Sequence, residues 1–176
     1  MAEPLRLLAD RMATPIGDLA VVADPAGGLR AVEWADQEAR LQRHLRLQAG
    51  AASFALAPAV DPFGHCAALR AYFAGDLRAI EALPVADIGT PFQRAVWRSL
   101  RAIPPGTMLS YGALAARLGR PAAARAVGAA NGANPVSVVV PCHRLVGTDG
   151  SLTGYGGGGE RKRWLLAHEV RGARSR

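Results

Sequence analysis

Apolar positions in the first ninety residues fall into short runs set between turn residues, a pattern of small strands and amphipathic helices. Thr14-Pro15-Ile16-Gly17 opens a predicted strand at Leu19-Ala20-Val21-Val22, and Asp24-Pro25-Ala26-Gly27-Gly28 reads as a turn. A second strand runs through Leu29, Val32 and Trp34. Between Gln37 and Gln48, Leu41, Leu45 and Leu47 recur among charged residues, which predicts a helix with a narrow apolar face. A second helix is expected from Phe63 to Phe73, stopped by Gly75, and an edge strand from Arg78 to Pro84.

The pattern changes after a linker-like stretch, residues 85–89. Thr90 is placed to cap a helix with Pro91 at its first position, and Phe92, Val96, Trp97 and Leu100 recur at core spacing. Pro104-Pro105-Gly106 ends it. Ser110 caps another helix with Leu114, Ala115 and Leu118 inward, closed by Gly119, and a third is expected from Ala122 to Asn131. Two short helices joined by Gly119-Arg120-Pro121 read as a helix-turn-helix. The fold class expected is α+β: an N-terminal α/β domain over 1–84 with a short antiparallel sheet, and a mainly helical C-terminal domain over 90–170. A basic tail, 171–176, follows.

The helix 122–131 sets one long side chain, Arg125, among Ala122, Ala123, Ala124, Ala126, Val127, Gly128, Ala129 and Ala130. A major-groove reader carries side chains that reach base edges, and this helix has almost none. A smooth surface lying in a minor groove with Arg125 projecting is one reading, and a helix packed tightly in the core is the other. Charge favours the first. Residues 1–89 hold eight Arg against eleven acids, a net −3, whereas 90–176 hold thirteen bases against three acids, a net +10. Such asymmetry points to a polyanion, most simply nucleic acid. The single Lys beside 20 Arg is a compositional bias and does not explain why acids thin out after Asp87.

Other classes recede. No apolar run approaches the ~20 residues of a membrane span, and Met1-Ala2-Glu3-Pro4-Leu5-Arg6 has no export signature. Two cysteines, Cys66 and Cys142, give no disulfide framework and fit a reducing cytoplasm. Zinc is not expected, since no C-x₂-C occurs and four His are scattered. His44 and His168 read as surface or helix residues. Gly154-Tyr155-Gly156-Gly157-Gly158-Gly159 lacks the GK[ST] ending of a phosphate loop, and suits backbone approaching a planar ligand.

Candidate chemistry sits at Pro141-Cys142-His143-Arg144, delivered by the apolar, β-type run Val136–Val140. A cysteine beside a base has the parts of an activated nucleophile. Neighbours in an extended chain point to opposite sides, so a turn after Pro141 or a bridging water is required. Glu169, near the end of a helix from Glu160, is placed to orient His143 as a third member. Spacing alone does not separate a catalytic pair from a packed one. His65-Cys66, the same pair reversed on a plain amphipathic helix, reads as a packed thiol.

These motifs together resemble the O6-alkylguanine-DNA alkyltransferase family. The likeness runs from Thr90-Pro91-Phe92-Gln93 with Val96-Trp97, through Ile103-Pro104-Pro105-Gly106, Ser110-Tyr111-Gly112, Arg125-Ala126-Val127-Gly128 and Asn134-Pro135 to Pro141-Cys142-His143-Arg144. It closes at Gly154-Tyr155, Gly157, Leu165-Leu166 and Glu169, and is looser in the first half, at Pro15-Ile16-Gly17 and Ala71-Tyr72-Phe73-Ala74-Gly75. The resemblance implies a C-terminal domain of winged-helix type and irreversible, stoichiometric transfer of an alkyl group from O6 of guanine, and more slowly O4 of thymine, to Cys142. It implies no cofactor and no metal. His143 would take the thiol proton through a water, with Glu169 polarising it. Tyr111 would hydrogen-bond the purine, Arg125 would fill the gap left by a flipped nucleotide, and Asn134 would hold the turn into the cysteine segment. Ala123, Ala124, Ala126, Gly128 and Ala129 would line the DNA contact, and Leu145, Tyr155 and Gly156 the base pocket. The partner implied is double-stranded DNA bound in the minor groove by a monomer without strong sequence preference.

Three positions depart from the family pattern: Leu145 where Val is usual, Gly156 where Ser can stand, and polar Asn131 where a more apolar residue can line the pocket. They bear on alkyl size rather than on the reaction. A lesion binder without transfer is disfavoured by the thiol at Cys142, and a sequence-reading transcription factor by the bare helix 122–131. A thiol hydrolase would turn over, whereas a thioether has no easy release.

Overall fold

The computed structural model describes residues 2–175, so Met1 and Arg176 of the expected termini lie outside the described residues. The chain divides into two compact units, Met1–Ile88 with Pro135–Ser137, and Gly89–Asn134 with Val138–Arg176.

In the first unit, β1 (Leu5–Met12), β2 (Leu19–Ala23), β3 (Leu29–Trp34) and β4 (Phe54–Pro58) form one sheet in the order β3-β2-β1-β4. The β2–β3 pair is antiparallel, as the sequence predicts; β1, which the sequence reading does not contain, adds to β2 antiparallel, and β4 joins β1 in parallel, which makes the sheet mixed. Helix α1 (Glu38–Ala49) lies between β3 and β4 in the chain. Its Leu41 and Leu45 close a cluster with Leu7, Val22 and Ala31, whereas Leu47 points away and is exposed. Beyond β3 the segment 135–137 pairs with Val32, whose N–H donates to the Pro135 carbonyl at 3.0 Å. That cover removes a bare sheet edge.

Several expectations shift. The segment Arg78–Pro84 is mostly turns and not an edge strand; the chain meets β3 at its end, where the Leu29 N–H donates to the Pro84 carbonyl at 2.8 Å in the bridge Leu29–Val85. Helix α2 starts at His65, not Phe63 (His65–Phe73), because Gly64 takes the left-handed conformation with φ +76°. His44 is buried on α1 rather than on the surface. Burial and the neighbouring Arg40 and Arg43 push its imidazole down to about 4.

The second unit is helical: α3 (Pro91–Arg101), α4 (Tyr111–Arg117), α5 (Ala124–Gly132) and α6 (Gly159–Arg174), with β5 (Leu109–Ser110) and β6 (Leu145–Val146) as a two-residue parallel pair. Thr90 and Gln93 form a reciprocal capping box at the start of α3, and the Ser110 hydroxyl accepts from the Ala113 N–H of α4. The Trp97 indole N–H donates to the Ala130 carbonyl at 2.8 Å, tying α3 to α5. Helix α5 begins two residues later than Ala122, because Pro121 and Ala122 form a turn and no side chain caps it. Helix α6 absorbs most of the expected tail; Arg171 and Arg174 in its last turn suit its dipole. His168 is buried against Trp164, rings stacked at 4.8 Å.

The run Val136–Val140 is buried throughout but is not a strand. Only Val136 makes a bridge, and Val138 then turns the chain with φ +71°. A β-branched residue in that region costs roughly 1–3 kcal/mol. A short apolar run signals burial, which packed irregular backbone satisfies as well as a strand does.

Gly89 shows where backbone freedom is required. Its φ is +85°, and a Cβ there would stand 2.6 Å from the Trp97 ring. Gly89→Ala is expected to lower stability in urea unfolding by about 2–4 kcal/mol through both strain and clash. Thr90→Ala, which removes only a cap, is expected to cost about 1 kcal/mol.

Candidate active site

The peptide after Pro141 winds into a single 3₁₀ turn, Cys142–Arg144, with the Arg144 N–H donating to the Pro141 carbonyl. This is the turn that the adjacency of Cys142 and His143 demanded, and all three of its side chains are buried. Two amides hold it from the side. Asn134 Nδ2 donates to the Val140 carbonyl at 2.9 Å, and Asn131 Nδ2 lies 3.4 Å from the Cys142 carbonyl.

Helix α6 brings Glu169 beneath the turn. Its carboxylate is fully buried and accepts from His143 Nε2 at 2.8 Å and Arg144 Nη2 at 2.8 Å, both on Oε1, and from Arg144 Nε at 2.9 Å and the Gly106 N–H at 3.4 Å on Oε2. Arg144 also donates through Nη1 to the Ile103 carbonyl. Burial by itself would raise the Glu169 pKa, yet His143 and Arg144 overcome it and hold the carboxyl well below the usual carboxylate range. An ionised Glu169 can only accept, so Nε2 of His143 carries a proton and donates it. Its other nitrogen, Nδ1, is left as the basic atom, and it is buried without a protein partner. Arg144 was visible in the sequence only as the end of a motif; its task of anchoring the carboxylate emerges from the fold.

Tyr111, the first residue of α4, stands between α5 and the glycine loop. Its hydroxyl donates to the Thr153 carbonyl at 3.1 Å. A Cβ on Gly128 would touch its ring at 3.7 Å, and one on Gly154 would lie 3.1 Å from its hydroxyl. Burial, together with the charge of Cys142, raises the phenol's pKa, so it keeps its proton. Leu145 is fully buried in β6 behind the turn, Tyr155 is half-buried and Gly156 is exposed in the loop. On α5, Val127, Ala130 and Asn131 face inward. Arg125, Ala126 and Ala129 are exposed, and Ala123, Ala124 and Gly128 are half-buried nearby. One face of the helix is thus packed into the core, and the other, carrying Arg125, is open.

Cys66 sits in quite different surroundings. Its thiol donates to Asp10 Oδ2 at 3.4 Å, and its backbone N–H donates to Asp61. Burial and those carboxylates push the thiol up to about 12, which suppresses nucleophilicity. Neighbouring His65 is spent on the Gly27 carbonyl, 2.7 Å from Nε2. No cluster of three or more metal-ligating side chains occurs among the described residues.

The carboxylate network sets an acid limit. Because the folded-state pKa of Glu169 lies below its ordinary 4.5, its contribution is complete above that value and drains away as pH falls below it. Glu169→Gln is expected to cost about 3–5 kcal/mol at pH 7 by leaving buried Arg144 without a counter-charge. The gap to the unmodified protein should narrow below about pH 4, as denaturant melts across a pH series will read out.

Comparison with known proteins agrees with this geometry. A family model described as "6-O-methylguanine DNA methyltransferase, DNA binding domain" matches residues 91–171. The chain is 54% identical over 165 residues to a methylated-DNA–protein-cysteine methyltransferase of Salmonella typhimurium, covering 94% of this chain and 96% of that one. The structure superposes on Mycobacterium tuberculosis O6-methylguanine methyltransferase with a TM-score of 0.74 at 36% identity, over 94% of this chain and 93% of that one. Against Mycobacterium tuberculosis OGT in complex with DNA the TM-score is 0.76 at 37% identity, over 95% and 94% of the two chains. The chain belongs to the methylated-DNA–protein-cysteine methyltransferase family.

Proposed function

We propose that this protein repairs DNA by taking the alkyl group of O6-alkylguanine, and more slowly of O4-alkylthymine, onto its own Cys142, once per molecule. The observation that carries the reading is the buried chain from the Cys142 turn through His143 to an ionised Glu169 locked by Arg144. It leaves His143 Nδ1 free to accept the thiol proton through an intervening water. Sulfur then attacks the alkyl carbon, an S–C bond forms and the C–O6 bond breaks, with the electron pair passing to the purine. Tyr111, which keeps its proton, is placed to donate to the departing base and neutralise it. The product thioether has no leaving group of its own, so the protein is consumed.

DNA is the partner that the DNA-bound relative, the matching DNA-binding domain and the charge of the second half support. The exposed face of α5 fits a minor groove: it is smooth at Ala126 and Ala129, with Arg125 as the long projection. Reaching O6 inside a stacked duplex requires flipping the nucleotide out, at a cost of a few kcal/mol, and Arg125 is suited to occupy the gap. The backbone of Tyr155 and Gly156 with Leu145 would border the extruded base. Residues 1–84 then serve as support, and 90–170 carry binding and transfer. No helix of the described residues is long and apolar enough to cross a membrane.

Intact-mass measurement after incubation with O6-methylguanine duplex tests the reading. One methyl per molecule on Cys142 is expected, with Cys142→Ala gaining none while still binding DNA and Cys66→Ala reacting as the parent does. An adduct on another residue, or catalytic turnover, overturns the assignment. Arg125→Ala is expected to slow repair about tenfold or more on duplex, with a much smaller loss on single strands, where less must be unstacked. Binding of both should weaken with added salt, as phosphate contacts do.

A further inference from the structure

Buried polar atoms are almost always hydrogen-bonded, so each exception calls for a cause. In the second unit two such side-chain atoms lack a protein partner among the described residues, Asn131 Oδ1 and His143 Nδ1, and both belong to the Cys142 turn and its immediate contacts. Asn131 is 2% exposed on the inward face of α5, whose other buried residues are Val127 and Ala130. An apolar side chain there would leave nothing unsatisfied. The amide is oriented by its neighbour. The Cys142 carbonyl, 3.4 Å from Nδ2, can only accept, so the NH₂ group faces it and Oδ1 is turned towards something else. His143 is oriented as firmly, because Nε2 donates to ionised Glu169 and Nδ1 is left as an acceptor. Both acceptors are sealed from solvent, so what answers them is a donor inside the protein. A single water has two O–H donors, one for each, and an oxygen that can still accept.

We propose that Asn131 is a positioning residue for alkyl transfer: its Oδ1 takes one hydrogen of the internal water whose other hydrogen points at His143 Nδ1, and so aims the water's oxygen at the Cys142 thiol. The inference deepens the transfer reaction proposed above and rests on it. The thiol proton passes to the water oxygen as the water's own proton passes to Nδ1, leaving a thiolate, a neutral water and an imidazolium held by Glu169. Asn131 gains and loses no proton. Without Oδ1 one hydrogen of the water is unheld and its direction is no longer fixed, so the thiol gives up its proton less readily. The titratable groups that bear on the turn are its own Arg144, Tyr111 from α4, and Glu169 and Lys162 from α6, the last donating through Nζ to the Thr153 carbonyl at 2.9 Å. Replacing neutral Asn131 alters none of their charges.

The test uses the full chain carrying Cys66→Ala, so that Cys142 is the sole thiol, with Asn131→Leu, which keeps the branched shape and removes the acceptor. Three readings are taken: the pH dependence of methyl transfer from O6-methylguanine duplex, the pH midpoint of Cys142 modification by iodoacetamide without DNA, and a high-resolution crystal structure of the parent. Near neutral pH, Asn131→Leu is expected to slow transfer about tenfold, and to raise the midpoint by about one pH unit. The gap in rate should close to within about twofold by about pH 9, where the thiol ionises without the relay, whereas a packing defect slows transfer equally at every pH. The crystal structure is expected to show a water within hydrogen-bond distance of both Asn131 Oδ1 and His143 Nδ1. Should Asn131→Leu fail to fold, Asn131→Val, smaller and equally without an acceptor, gives the same readings. A loss of rate that does not change with pH, an unchanged midpoint, or a crystal structure without that water overturns the proposal. The iodoacetamide and crystal readings do not depend on repair, so a parent protein that takes no methyl group overturns the transfer reaction while the part of Asn131 at the thiol is measured separately.

Discussion

One buried carboxylate organises the reacting half of this protein. Glu169 accepts from His143 and twice from Arg144 while fully shielded from water. In such a place an isolated charge is not tolerated, and an incomplete set of partners costs more than none. The carboxylate therefore fixes where α6 meets the 3₁₀ turn, which ring nitrogen of His143 holds the proton, and which one is left without a protein partner. Cys142 takes its position from that arrangement together with the Asn131 and Val140 contacts of its own backbone.

The opposite side of the site is built from small residues and close approaches. Tyr111 fits between Gly128 on α5, where an added Cβ would sit in ordinary contact with the ring, and Gly154 in the loop, where it would crowd the hydroxyl at 3.1 Å. The same economy of side-chain bulk gives α5 its two faces, apolar and packed at Val127 and Ala130, smooth and exposed at Ala126 and Ala129. A helix that must both seal a core and lie against a wide partner has reason to carry few long side chains, and Arg125 is the exception that reaches outward.

The two cysteines show how surroundings decide chemistry. Cys66 faces Asp10 and Asp61, and their negative charge suppresses the thiolate. Cys142 is followed in its turn by an imidazole backed by a carboxylate that Arg144 neutralises, its carbonyl faces the Asn131 amide, and no carboxylate is described against its thiol as Asp10 is against that of Cys66. Both stand next to a histidine in sequence, yet His65 is tied to a backbone carbonyl while His143 keeps one nitrogen open. Adjacency along the chain carried no information about either outcome.

The sequence by itself determined the helices that punctuation marks: the Thr90–Gln93 box with Pro91, the Ser110 cap, and the strand pair around Asp24–Gly28. It also singled out Cys142, His143, Tyr111 and Asn134 as candidates, because they lie in short, distinctive strings, and it carried the charge split between halves. It did not reveal β1, whose Arg6, Asp10 and Arg11 break the apolar alternation, nor β4, an Ala-rich strand that only its parallel pairing with β1 defines. Tertiary structure alone decided that 136–140 is packed, turned backbone, since burial is a property of surroundings and leaves the dihedral angles open. It alone gave Arg144 and Lys162 their partners, because residues 25 and 9 positions apart meet only once α6 has docked, and no local pattern records which buried charge answers which.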